Sequence, residues 1–244
     1  MTNLLELRNV TKQFGGLVAV NDVTTDIEEG SIVGLIGPNG AGKTTLFNMI
    51  ANYFHPTSGT IHYKGQDITN VSVDKMAQLG IARTFQVTRP FGDMSVIDNI
   101  MVGGYLKTKN AKDVRKKAEE IYEYVAMTCN PDQSASEVTT VDRKKLEVGR
   151  ALATDPTLLL LDEVMAGCNP QEKVELVECA RKIQATGITI IIIEHDIKTI
   201  MSCSDRIIML DRGTKLVEGL PQEVGNDPRA ISAYLGEDYV HAES

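Results

Sequence analysis

The sequence predicts an α/β fold: a mostly parallel sheet covered by helices on two faces, with a helical subdomain inserted into it. Three observations carry this prediction. "TLLLLDE" and "ITIIIIEH" are short runs with an apolar residue at nearly every position, as strands buried on both faces read. Segments with helical spacing alternate with them, which is the order of parallel strands joined by crossover helices. Between about 87 and 140 the pattern changes to charges interleaved with apolar positions at helical spacing, so this stretch reads as an insertion. The chain is therefore expected to form a single domain of 244 residues, with a core at about 1–86 and 141–244 and a helical subdomain at about 87–140.

Each element has its own justification. Residues 2–36 read as strands, because "LLELRNVTKQF" and "VAVNDVTTDIEEGSIVGLIG" carry β-branched runs broken at Gly15–Gly16 and Glu28–Gly30. "SIVGLIG" is a short buried strand ending in a glycine-rich turn. From Lys43, "KTTLFNMIANYF" has helical apolar spacing at Leu46, Met49, Ile50 and Phe54. "HPTSGTIHYKGQDIT" returns to strand and turn chemistry. In the insertion, residues 110–128 place Val114, Ala118, Ile121 and Val125 on one helical face, and the charges between them read as a solvated face. Asn169-Pro170-Gln171-Glu172 opens a helix with an N-cap, a proline in the first turn and a glutamate three residues on; that helix ends near Gly187. "RIIMLDRGTKLVEG" reads as a hairpin.

Composition narrows the function. Hydrophobic residues at 42% and charged residues at 24% are ordinary for a globular protein. A formal charge of -8 and a pI of about 5.1 argue against nonspecific nucleic-acid binding, which needs a basic surface, and no nucleic-acid partner is expected. Cys129, Cys168, Cys179 and Cys203 show neither C-x-x-C nor zinc-site spacing, so they read as reduced, cytosolic and mostly structural. The N-terminus carries charges throughout and does not read as a signal peptide. No apolar run reaches the roughly 18 residues that span a bilayer, so a membrane role is expected to come through a partner.

The chemistry begins at Gly37. The run Gly37, Pro38, Asn39, Gly40, Ala41, Gly42, Lys43, Thr44 matches G-x-x-x-x-G-K-[ST] and lies between a buried strand and a helix. Its glycines let backbone N–H groups converge on phosphate oxygens, and the helix N-terminus favours negative charge. Lys43 would pair with the β- and γ-phosphates, and Thr44 would give a hydroxyl to Mg²⁺. Asp162 ends the strand "LLLLD", where a second Mg²⁺ partner is needed, and Glu163 follows it, placed to activate the attacking water. Three further residues are weak signals taken singly. His195 at the tip of a strand could reach a γ-phosphate or be an ordinary strand-end residue. Gln86 in "ARTFQ" is similar, and Phe14 could stack an adenine or lie in the core.

Taken together, GPNGAGKTT, the glutamine of "RTFQ", "LLLLDE" and the histidine of "EHD" resemble the nucleotide-binding subunit of ATP-binding cassette (ABC) transporters over nearly the whole chain. "FGGLVAVNDV", "GLIGPNGAGKTTLFNMI", "QLGIARTFQ", "AGCNPQE" and "YLGED" resemble more narrowly the LivG-like ATPases of branched-chain amino acid importers; ureide and lipopolysaccharide ATPases share some of these features. The resemblance implies a P-loop NTPase core with an antiparallel N-terminal β subdomain. It also implies that ATP and Mg²⁺ bind and that ATP is hydrolysed. It makes residues 37–45, through Thr45, the Walker A loop, Gln86 the Q-loop residue near Mg²⁺ and water, and Asp162 the Walker B aspartate. Glu163 becomes the catalytic glutamate, His195 the switch histidine and Phe14 the adenine-stacking aromatic. The implied partners are a second ABC ATPase subunit, integral membrane permeases and, indirectly, a periplasmic or extracellular solute-binding protein, with the chain on the cytoplasmic face of the membrane. Export of lipid or lipopolysaccharide, and a low-turnover regulatory subunit, are the competing readings.

One stretch departs from the family. Val138, Thr139, Thr140, Val141 and Asp142 stand where L-S-G-G-Q of the signature belongs, and both glycines are gone. Close approach of backbone to phosphate is what glycine permits. Asp142 is expected to add repulsion toward phosphate where glutamine is neutral. Val164 stands where proline is usual in the family and Cys168 where its D-loop usually has a hydrophobic residue. An intact Walker A loop beside a degraded signature favours a heterodimer; a homodimer is the alternative.

Overall fold

The computed structural model describes residues 2–84 and 90–234. In chain order its elements are β1 (Asn3–Phe14), β2 (Leu17–Glu28), β3 (Ile32–Ile36), α1 (Lys43–Ile50), β4 (Ser58–Tyr63), β5 (Gln66–Asp67), α2 (Val73–Leu79), β6 (Ile81–Arg83) and α3 (Val96–Gly104). They continue with α4 (Ala111–Tyr124), α5 (Thr140–Leu152), β7 (Leu158–Asp162), α6 (Pro170–Ala185), β8 (Thr189–Ile193), α7 (Ile197–Cys203), β9 (Arg206–Asp211), β10 (Thr214–Gly219) and α8 (Pro221–Gly225). Residues 228–234 are again helical. The chain divides into two compact units, Met1–Val73 with Ile191–Ser244, and Asp74–Ile190.

The first unit holds the antiparallel sheet that the resemblance implies, in the order β2-β1-β4-β5. Its buried face is an apolar ladder: Leu5 pairs with Ile27 and Tyr63, Leu7 with Ile61, and Val10 with Val23. All are at most 2% exposed, and each buried aliphatic side chain contributes about 1.5–3 kcal/mol. The same unit pairs β3 with β9 in parallel and β9 with β10 as the expected hairpin. Every residue of β3 is buried. The helix α7 packs on β3 through Ile200 and Cys203, both 0% exposed.

The helix α1 is shorter than its apolar spacing suggests. It stops at Ile50, Asn52 turns to a φ of 55°, and the N–H groups of Tyr53 and Phe54 both donate to the Asn48 carbonyl. Phe54 therefore leaves the helix and ends 38% exposed instead of joining the core with Leu46, Met49 and Ile50.

In the second unit β6 and β7 run parallel, and all five residues of β7 are buried. The helix α3 packs against α4 and α5. On α4 the predicted stripe is the buried one: Val114, Ala118 and Ile121 are 1%, 1% and 9% exposed, and Val125 just beyond the helix is 0% exposed. The helix α6 starts as read, with the Asn169 side chain accepting from the Glu172 N–H and the Glu172 carboxylate accepting from the Asn169 N–H. All four cysteines are free thiols. Burial pushes the Cys179 thiol up to about 11 and raises that of Cys129, which suits structural residues and not nucleophiles.

Candidate functional site

The predicted phosphate loop follows β3 and opens α1. Gly37, Gly40 and Gly42 take φ values of 145°, 76° and 96°. A Cβ on Gly37 would lie 2.1 Å from the Leu210 carbonyl oxygen, and one on Gly42 would lie 2.4 Å from that of Ala19. Glycine is thus required twice over, by backbone angle and by close packing. Gly42 is also the N-cap of α1, and no side chain closes that helix end. The first-turn N–H groups and the positive end of the helix dipole are therefore presented at the loop. Lys43 is 7% exposed, and its ammonium donates to the carbonyls of Gly37 at 2.5 Å and Pro38 at 2.8 Å. Thr44 is exposed and Thr45 half-buried, with Asn39 and Gly40 exposed between buried neighbours. Glycines that exclude side chains, an uncapped helix end and a lysine at the same loop fit a polyphosphate.

The same unit carries His195 and Phe14. His195 is exposed between the end of β8 and Asp196, whose side chain caps α7 by accepting from the Thr199 N–H. Phe14 is 41% exposed, so it is not a core residue. Its ring meets that of Phe54 edge-on at 5.3 Å, and the Lys12 ammonium lies 5.2 Å and 5.9 Å from the two ring centroids. Lys12 and Phe54 were not among the expected site residues. The signal that could have found Phe54 is the asparagine at 52, which favours left-handed backbone and stops the helix.

The second unit carries the acidic residues. Asp162 is 3% exposed at the end of β7, and its carboxylate accepts from the Arg83 guanidinium at 2.7 Å. Its N–H donates to the Thr84 hydroxyl at 3.1 Å. Glu163 is 8% exposed with a φ of 50°, a conformation that costs a non-glycine residue on the order of 1–3 kcal/mol and clusters at functional sites. Its carbonyl accepts from the Ala166 N–H at 3.2 Å and the Lys144 ammonium at 3.4 Å. Cys168 is 9% exposed and packs as a small apolar residue. Gln86 lies outside the described residues.

The signature region requires a correction. Thr139 is the N-cap of α5; its hydroxyl accepts from the Asp142 N–H at 3.2 Å and donates to the Asp142 carboxylate at 3.1 Å. That carboxylate also accepts from the N–H and hydroxyl of Thr128, at 3.0 Å and 3.1 Å, and Asp142 is 1% exposed. The expected repulsion assumed an outward charge. The charge instead points inward and ties the start of α5 to the turn after α4. Thr140 is exposed and Val141 half-buried at the tip.

Known proteins resemble this chain over most of its length. The family model "ABC transporter" matches residues 20–166, more than half of the chain. The chain belongs to that family: it is an ABC transporter ATPase, which binds ATP, uses Mg²⁺ and hydrolyses ATP to drive transport. ATPases of this family dimerise and work with membrane permease subunits. A second model, "Branched-chain amino acid ATP-binding cassette transporter", matches residues 214–240. The chain is 38% identical to the high-affinity branched-chain amino acid transport ATP-binding protein LivG of Salmonella typhimurium, covering 96% of this chain and 98% of that protein. It is 36% identical to BraF of Pseudomonas aeruginosa, over the same shares of the two chains. Among solved structures, the ADP conformation of MJ1267, an ATP-binding cassette of an ABC transporter, superposes with a TM-score of 0.87 at 28% identity, over 97% of this chain and 100% of that one. Among the described residues, no helix is long and apolar enough to cross a membrane.

Proposed function

We propose that the chain is the ATP-hydrolysing subunit of an importer for branched-chain amino acids or a related small polar solute. The observation that carries this reading is the 36–38% identity to LivG and BraF over 96% of the chain. On this reading the chain is one cassette domain, with core at about 1–86 and 141–244 and helical subdomain at about 87–140. It is held peripherally on the cytoplasmic face of the membrane by permeases that receive solute from a periplasmic or extracellular binding protein.

The residue roles follow from chemistry and family together. Phe14 offers the face of an exposed ring to adenine. Residues 37–45 receive the phosphates on their N–H groups, and Lys43 exchanges the Gly37 and Pro38 carbonyls for phosphate oxygens. By family resemblance Thr44, Gln86 and Asp162 would hold Mg²⁺, which would supply neutralisation of charge on the phosphates. Glu163 orients the attacking water and accepts its proton, and its unusual φ is the mark of a constrained position. His195 contacts the γ-phosphate and reports its presence.

The pairing is with a second, different ATPase subunit. What supports this is the tip of α5, where Thr140 and Val141 carry side chains at the positions of the two signature glycines. This chain can hydrolyse ATP at a site completed by a normal signature, but it offers a poor signature to its partner's ATP. The test compares turnover of the purified chain with turnover of the chain mixed with its partner. Strong hydrolysis by the chain alone would sink the heterodimer. A further check replaces both residues, Thr140→Gly with Val141→Gly; transport should rise, and unchanged transport would make the departure neutral. Uptake of leucine by the assembled transporter, abolished when this subunit is removed, tests the substrate class.

A further inference from the structure

The phosphate loop is gripped from outside by the segment that follows β9. At the near end, the Gly213 N–H donates to the Ala41 carbonyl at 3.0 Å. At the far end, the Gly37 N–H donates to the Tyr234 hydroxyl at 2.9 Å, across 197 residues of sequence. Two members of one loop are thus tied to the two ends of one segment. We propose that Gly213–Tyr234 is a strap that fixes the start of the phosphate loop, and that Tyr234 is a positioning residue for nucleotide binding.

The strap is built to hold Tyr234 in place. Val224 on α8 is 0% exposed and Ala230 is 5% exposed, so the segment is anchored between its ends. Asp227 starts the last helical stretch: its carboxylate accepts from the Arg229 N–H at 2.8 Å, and its carbonyl accepts from the Ile231 N–H at 3.0 Å. The Arg229 side chain, followed by its N–H, holds the Asp227 carboxyl down at about 2. Residues 228–234 then carry the Tyr234 hydroxyl to Gly37.

Gly37 is a position where such a tie has something to restrain. Its φ of 145° is open to glycine alone, and glycine is the residue with most backbone freedom to lose. In the structure its carbonyl is also held, by Lys43 at 2.5 Å. Binding a triphosphate draws that lysine away to the phosphate oxygens. The Tyr234 bond then remains as a tie on Gly37 while the loop wraps its ligand. The second family model, residues 214–240, spans most of this segment including Tyr234, so the strap lies in a subgroup-specific part of the chain.

The test uses the full chain and the variant Tyr234→Phe, which removes only the hydroxyl. The bond is present before ATP binds, so only the loop freedom it removes enters the affinity, and a single hydrogen bond sets the upper limit of that effect at about 2- to 10-fold. The dissociation constant for ATP, measured in EDTA so that no turnover occurs, should rise, by up to that factor. Inorganic tripolyphosphate, which has no base, should weaken in the same proportion. Hydrogen exchange at the Gly37 amide should accelerate in the variant. In the assembled transporter KM for ATP should rise with kcat unchanged, a split that general loosening of the fold would not produce. Ile231→Gln, on the exposed face of the same helical stretch, is the control and should change none of these. Unchanged or tighter ATP binding by Tyr234→Phe overturns the strap. If that variant does not fold, slow Gly37 exchange in the unaltered chain, persisting with ATP bound, supports the strap, and fast exchange overturns it. Failure of the unaltered chain to bind ATP would instead strike at the assigned phosphate loop itself.

Discussion

Two helix N-termini in this chain, at the proposed phosphate loop and at the proposed signature position, are finished in opposite ways. The start of α1 is capped by Gly42, with no side chain spent on the helix end. The start of α5 is capped by Thr139, whose hydroxyl takes the Asp142 N–H, while the Asp142 carboxylate turns back onto Thr128 and Thr139. At the first end no side chain takes a first-turn N–H. At the second the Thr139 hydroxyl takes one first-turn N–H, which stabilises the helix. A side chain that takes one first-turn N–H leaves one fewer for a ligand, so the Thr139 cap adds to the β-branched residues Thr140 and Val141 in setting this helix start apart from the first.

The largest effect expected from this contrast is at Lys43. Its ammonium holds the loop carbonyls now and would hold phosphates when ATP binds, so Lys43→Ala should weaken ATP binding by roughly 10²-fold, the scale of one charge-assisted contact. Titration of the purified chain with ATP in EDTA measures it. Thr139→Ala in the same titration should leave the affinity unaltered. If the two variants behaved alike, the distinction between the helix ends would fail.

A second contrast lies within the loop. Gly37→Ala meets the Leu210 carbonyl at 2.1 Å and should cost about 3 kcal/mol or more, because backbone cannot step aside. Gly40→Ala meets nothing within 4 Å and carries only the strain of its positive φ, about 1 kcal/mol. Thermal unfolding ranks them: Gly37→Ala far below the parent, Gly40→Ala lower by roughly 2–4 °C. Equal shifts would mean that the packing around Gly37 is not what demands glycine.

How far the sequence could have foretold all this depends on the range of each interaction. The loop was legible because its glycines, lysine and threonine lie within nine residues and the flanking strand and helix frame them. The α4 stripe and the Asn169 capping box were legible for the same reason, each being set by residues three or four apart. Three features were not. Apolar spacing carried α1 on through Phe54, because periodicity does not register the backbone reversal at Asn52. The partner of Asp162 is Arg83, 79 positions away, and that of Gly37 is Tyr234; neither pairing leaves a local pattern. For Asp142 the charge was visible but its direction was not, since direction is set by Thr128, 14 residues back in the turn after α4.

That inward turn gives the smallest and most discriminating expectation. Asp142→Asn removes a charged acceptor from the Thr128 N–H, and a hydrogen bond to a charged group contributes about 1.5–3 kcal/mol, part of which the amide oxygen retains. A loss of about 1 kcal/mol is expected, comparable with Thr139→Ala, which removes the cap itself; Thr139→Ser should keep most of it. Because Thr139 and Asp142 contact each other, the double variant should cost less than the sum of the two, and a double-mutant cycle on chemical unfolding measures that coupling. Neither change should raise turnover at the partner's site, because neither charge nor hydroxyl is spent outward. If Asp142→Asn left stability untouched and sped hydrolysis in the assembled transporter, the carboxylate would be acting on phosphate after all, and the two helix ends would differ in sequence but not in kind.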